Sequence, residues 1–145
     1  YRRQRQMCIR DRYGEPVRPV KEVEAVGMEV SPKGETIIDF GQNLAGVLRV
    51  KVDLPAGTKL ILDHFETKDS QGNYFNNIAG ADMTGHTQTD VYISNGKPAE
   101  YRPHFTYHGF RYVRVICDAP VKPEDFTAVA HAGQFWARDK EEKNI

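Results

Sequence analysis

The chain holds only two cysteines in 145 residues, Cys8 in an arginine-rich opening and Cys117 inside an apolar run. Neither has a nearby mate, so no disulfide is expected to staple the fold. No stretch approaches the roughly 20 consecutive apolar residues that a membrane-spanning helix needs, and no charged-then-apolar opening has the form of a signal peptide. A membrane is therefore not an expected partner, and nothing in the chain sets a compartment. Net charge is also missing, with 20 basic residues against 20 acidic ones. Helical periodicity is nearly absent, which argues against a helix bundle.

The balanced charge is unevenly spread. Residues 1–12 contain Arg2, Arg3, Arg5, Arg10 and Arg12 against the single acid Asp11, which leaves 15 basic and 19 acidic residues for the rest. A mildly acidic body without a basic stripe offers nucleic acid no electrostatic footing. Tyr1 to Arg12 (YRRQRQMCIRDR) has neither strand alternation nor a helical apolar face, and is expected to be disordered. Met7 to Arg12 resembles the string produced when a sequencing adapter is translated with an environmental read, so the segment is set aside from fold reasoning. A basic arm that binds phosphates is the rival reading.

From Val17 onward, short runs rich in Val, Ile, Thr, Tyr and Phe alternate with Gly, Pro, Asn and Asp clusters. That is the signature of strands and turns. Extended segments are expected at Val17 to Val30, Thr36 to Phe40, Val47 to Leu54, Thr58 to Thr67, Thr87 to Ile93, Tyr101 to Tyr107, Phe110 to Cys117 and Phe126 to His131. The pattern is clearest at Val47 to Leu54, where Leu48, Val50, Val52 and Leu54 share one face and Arg49, Lys51 and Asp53 the other. Lys68 to Gly85 is a polar connection longer than usual, and such loops tend to be functional or mobile. Phe135 to Asn144 suits one short helix or a frayed tail.

About eight strands without intervening helices predict an all-β fold: two antiparallel sheets packed as a jelly-roll-like β-sandwich over residues 13–134, with residues 135–145 as a tail. An immunoglobulin-like sandwich or a small barrel is the alternative. At this length about two thirds of the unfolded chain's surface can be buried.

Three stretches carry a more specific signal: Asp39 to Gly46 (DFGQNLAG) running on to Arg49; Pro55 to Glu66, with PAGT followed by Leu62, His64 and Glu66; and Pro103 to Val115 (PHFTYHGFRYVRV), preceded by Thr89, Asp90 and Tyr92. Together they resemble the concanavalin-like β-sandwich domain of bacterial α-L-rhamnosidases, from about Glu15 to His131. The resemblance implies an accessory domain that packs against a catalytic helical toroid. It also implies that the catalytic carboxylates lie in that toroid, so no catalytic residue is expected in this chain. The partners implied are the catalytic domain of the same polypeptide and, on a second reading as an independent carbohydrate-binding module, a rhamnose-containing glycan. Asp63 and Phe65 depart from the family's usual residues around His64.

Glycoside hydrolysis needs two carboxyl groups about 5–9.5 Å apart across a sugar-sized cleft. Asp63 and Glu66 are the tempting pair, but on one strand they point to opposite faces, so Glu66 is read as a cleft-lining or ion-paired carboxylate. His104 and His108 have the spacing that chelates zinc on a helix; on a strand the two lie roughly 13 Å apart, and no metal site or cofactor is expected. His64, His86 and His131 read as polar fillers. Phe105, Tyr107, Phe110 and Tyr112 form either a sugar-stacking platform or part of the core. The domain-interface or sugar-proximal candidates are Gln42, Asn43, Glu66, His108, Arg111 and Tyr112, with a turn-stabilising role for Gln42, Asn43 and Arg111 at least as well supported.

Overall fold

The alternating apolar residues become eight strands: β1 (Val17–Glu24), β2 (Gly27–Val30), β3 (Thr36–Val52), β4 (Lys59–Phe65), β5 (Thr89–Ile93), β6 (Ala99–Tyr101), β7 (His108–Cys117) and β8 (Phe126–Gly133). The structure, a computed structural model, describes residues 17–76 and 88–133. The expectations for the arginine-rich opening, the helix or tail after Phe135 and the far half of the long polar connection lie outside the described residues. Pro19–His131 form one compact unit. No α-helix occurs among the described residues; a three-residue 3-10 turn, Pro123–Asp125, leads into β8.

Every pairing with a described register is antiparallel. The strands run in the order β1–β8–β3–β7–β4–β5, with β2 and β6 each paired to β3 off this path. This corrects the expectation of two separate sheets, because the described strands form one curled sheet. The reason is β3, expected as two strands and found as one of 17 residues. Its first part pairs with β2 and β7, its middle with β7 and then β8, and its end with β6. A single strand thereby belongs to both halves.

Within its pairing with β7, β3 carries a bulge. Thr36 to Asp39 face Val115 to Tyr112, and pairing resumes at Leu44 opposite Phe110, so four residues of β3 stand against Arg111 alone. Such an insertion bends and twists a strand. Gly41 sits there at φ +72°, a conformation that side chains resist.

The concave side holds the core: Ile38, Phe40, Leu48, Val50, Leu60, Leu62, Phe110, Val113 and Phe126 are all almost completely buried. Phe40 and Phe110 meet edge to face, with ring centroids 5.7 Å apart. Cross-strand pairs such as Ile38 with Val113 and Leu62 with Val115 put branched side chains against each other, the arrangement that stabilises sheets. At the β1 edge, Arg49 donates from both terminal guanidinium nitrogens to Glu22, at 2.6 and 2.8 Å.

Two strand expectations shift. The extended run to Tyr107 stops at Tyr101, and residues 102–107 form a loop before β7 begins at His108. Pro103 supplies no backbone donor, and Phe105 adopts φ +60°, so pairing cannot continue. His104 consequently lies in a loop, well separated in role from His108.

Gly46 is the tightest point of the sheet. A methyl group there would lie 2.0 Å from the carbonyl oxygen of Val129, a clash with backbone that no rotamer relieves. We expect Gly46→Ala to destabilise the chain by about 3 kcal/mol, measured by urea unfolding; an unchanged midpoint would contradict the packing of β3 on β8.

Candidate functional site

Polar side chains concentrate in three places: the convex face of β3, β4 and β7, the bulge of β3, and a buried cluster at the ends of β4, β5 and β7. On the convex face, strand alternation points Asp63 and Arg114 the same way from paired positions. Arg114 donates to Asp63 Oδ2 from Nε (2.9 Å) and Nη2 (2.6 Å), and from Nη1 to Glu35 Oε1 (3.1 Å). Its guanidinium also lies 3.8 Å from the centre of the Tyr74 ring.

Tyr74 belongs to the polar connection after β4, whose first part folds back over this face. Asp69 accepts hydrogen bonds from the backbone of Gln71 and Asn73 and from the Asn73 side chain, while Asn73, fully buried, accepts from the backbone of Lys33. Tyr74 N–H donates to Glu35 Oε2 at 2.9 Å. Lys68 pairs with Glu29. Beneath this cover Phe65 stacks on Tyr112, centroids 5.3 Å apart, and the ammonium of Lys68 sits 4.6 Å above the Tyr112 ring. Burial would raise the Glu35 carboxyl, but the Tyr74 N–H, Ser31 hydroxyl and Arg114 guanidinium outweigh it and hold the group below its ordinary value.

At the bulge, Asp39 receives Arg111 bidentately, Nε to Oδ1 at 2.9 Å and Nη2 to Oδ2 at 3.0 Å, and also accepts the Gly41 N–H at 2.7 Å. Burial again acts to raise the carboxyl, and Arg111 with the Gly41 N–H brings it below the usual aspartate range. Asn43 Nδ2 donates to Glu66 Oε1 at 3.0 Å, and Glu66 approaches Gly109. Of the candidates named from the sequence, the structure therefore joins Asn43 with Glu66, and Arg111 with Tyr112, whose ring centre is 4.9 Å from the guanidinium carbon. Gln42 stands apart from them, accepting from Lys21 Nζ at 3.4 Å. Asp63 and Glu66 hold different partners, one Arg114 and Thr89, the other Asn43.

His108 is drawn elsewhere. Its Nε2 lies 3.1 Å from Asp90 Oδ1, and its ring is 4.4 Å from that of His64. His64 Nδ1 is 2.9 Å from the carbonyl of Gln88, while Asp90 Oδ2 stands 3.8 Å from His64 Nε2. Burial above all, and next the proximity of His108, lowers His64 to about 4, so at neutral pH this imidazole is uncharged. Gln88 also clamps Gly109, accepting its N–H and donating to its carbonyl, each at 2.9 Å. Sequence spacing could not reveal this trio, because His64, Asp90 and His108 come from three strands that meet only through the β5–β4–β7 pairing. The alternation of β4 was the one usable signal, placing His64 on the same face as Leu60 and Leu62.

The four aromatics divide. Phe110 is core and Tyr112 lies under the convex cover, whereas Phe105 is fully exposed and Tyr107 largely so.

Residues 29–131 match the family described as the bacterial alpha-L-rhamnosidase concanavalin-like domain. The chain is 38% identical over 109 residues to an α-L-rhamnosidase of Streptomyces avermitilis, covering 74% of this chain and 10% of that protein. Among solved structures it resembles the native α-L-rhamnosidase of Aspergillus terreus (TM-score 0.71, 35% identity, 83% of this chain and 14% of that one). It equally resembles the Streptomyces avermitilis enzyme complexed with L-rhamnose (TM-score 0.72, 31% identity, 83% and 12%). The chain belongs to the bacterial α-L-rhamnosidase family through its concanavalin-like domain, and it spans about a tenth of the length of the curated relative.

The convex ion network yields a test. Replacing Arg114 with Leu leaves Asp63 and Glu35 close together without a cation, at an expected cost of about 2–3 kcal/mol after allowance for partial exposure. In the unaltered chain the depressed carboxyl of Glu35 stabilises the fold above the ordinary carboxylate range, and that contribution is lost as pH falls through its lowered folded value. Acid unfolding of Arg114→Leu should accordingly begin at higher pH, and superimposable acid curves would refute the network.

Proposed function

We propose that the chain is a non-catalytic accessory domain of an α-L-rhamnosidase, and that its role is to pack against and support the catalytic domain of the same polypeptide. The observation that carries this reading is the placement of Phe105. A phenylalanine held at φ +60° costs of order 1 kcal/mol or more, and its ring stands wholly in water. An isolated domain gains nothing from that expense, whereas a neighbour that receives the ring does. Val20, Val26, Met28 and Val30, exposed on and between β1 and β2, fit a surface that other parts of a longer protein cover. In this reading Gln42, Asn43, Glu66, Arg111 and Tyr112 set the shape of the β3 bulge and the adjacent sheet face and so position the interface. They touch no reacting atom.

A carbohydrate-binding module is the second reading, favoured by the exposed Phe105 and Tyr107 as flat surfaces for a sugar. It gains no support from the cleft of about 430 Å³ lined by Val52, Leu54, Leu60, Val121 and Phe126, because Phe126 is buried and offers no face.

Assayed alone, the chain should not hydrolyse an aryl α-L-rhamnoside above background and should give no binding heat with millimolar L-rhamnose. Turnover would place an active site in this domain, and saturable heat would favour the binding module. Phe105→Asn, which suits the left-handed backbone better, should leave the isolated chain's stability unchanged or higher by up to about 1 kcal/mol. A clear loss would show that Phe105 is a packing residue rather than a docking one.

A further inference from the structure

We propose that His64, Asp90 and His108 form a binding site for a zinc-like divalent cation, held between β4, β5 and β7. The ligating atoms of these three side chains all lie within 4.8 Å of one another. Donors around an ion with bonds of about 2.0–2.1 Å are separated by roughly 3.3–4.2 Å, so a small inward adjustment closes the set.

The hydrogen bonding calls for a cation. The Gln88 carbonyl can only accept, so the His64 nitrogen facing it, Nδ1, carries the hydrogen. His64 Nε2 then presents a bare lone pair to Asp90 Oδ2, 3.8 Å away. Both atoms are buried, and neither has a hydrogen-bond partner among the described residues. Two acceptors confronting each other out of water are unfavourable unless something positive lies between them. A divalent ion takes the lone pair directly.

The surroundings match the requirements of such a site. An imidazole that binds metal through one nitrogen commonly donates from the other to a backbone carbonyl, which is the arrangement of His64 with Gln88. Gln88 in addition fixes the backbone at Gly109, next to His108. Two imidazoles and one carboxylate suit zinc or its neighbours and not calcium, which takes six to eight oxygens. His64 is sealed from solvent while the His108 side chain retains 10% exposure, leaving that side for a water as fourth ligand. The site is independent of the accessory role proposed above.

The test uses the 145-residue chain, stripped with a chelator and titrated calorimetrically with zinc chloride. One ion per chain should bind with micromolar or tighter affinity and raise the thermal midpoint. His64→Gln, Asp90→Asn and His108→Gln should each weaken binding by about 100-fold or more, while His104→Gln and His131→Gln should not. Cobalt(II) added to the unaltered chain should broaden the imidazole NMR lines of His64 and His108 far more than those of His104 and His131, a readout that holds even where a variant fails to fold. Absence of saturable binding by a chain with native circular dichroism would overturn the site, as would equal broadening of these four of the five histidines or binding that survives all three ligand substitutions. In those cases a bridging water or another surface site accounts for the geometry.

Discussion

The bidentate pairing of Arg111 with Asp39 is the contact on which the shape of the sheet turns. Four residues of β3 must be accommodated opposite one residue of β7, and the backbone there forfeits its regular hydrogen bonds. The Arg111 guanidinium and the Gly41 N–H replace part of that loss by converging on one carboxylate. Parallel N–H to oxygen bonds fix orientation as well as distance, which a single contact would not. With the bulge held, β3 pairs with β7 again from Leu44 to Gly46 and continues alongside β8 and β6, and the apolar residues of its two parts reach the same core.

The curl sorts the polar residues. Inside, Phe40 and Phe110 from the two sides of the bulge close the core against Leu62, Val113 and Phe126. Outside, the connection after β4 is drawn over Phe65 and Tyr112 by Arg114, Glu35, Asp69 and Asn73, so the convex face is covered rather than offered as a groove. The large apolar residues left in water include Phe105 and Tyr107 of the loop, those of β1 and β2, and also Phe75, Val91, Ile93 and Ile116. The relatives that the chain matches are far longer, and aromatics exposed on a loop beside the sheet fit the docking role proposed above.

Much of this could be read in the amino-acid order. Alternation marked the strands, since period two leaves its trace wherever one face is buried. The DFGQNLAG and HGFRYVRV stretches pointed to the family because each residue has a distinct duty there: Asp39 and Arg111 hold each other, Gly41 takes the left-handed turn, and Phe40, Phe110 and Val113 fill the core. Two things were illegible. That Thr36 to Phe40 and Val47 to Val52 fall in one strand depends on hydrogen bonds made by partners more than 60 residues away, such as Val115 and Phe126. Likewise the meeting of His64 with Asp90 and His108 depends on strand order, which local spacing does not encode.

A double-mutant cycle of Asp39→Asn and Arg111→Met, followed by urea unfolding, tests most directly whether this pair holds the bulge. If the pair holds the bulge, either single change should cost nearly as much as both together, with a coupling of about 1 kcal/mol despite the partial exposure of both groups. Strictly additive losses would mean that the bend of β3 is set without this contact, and that the sheet curls for another reason.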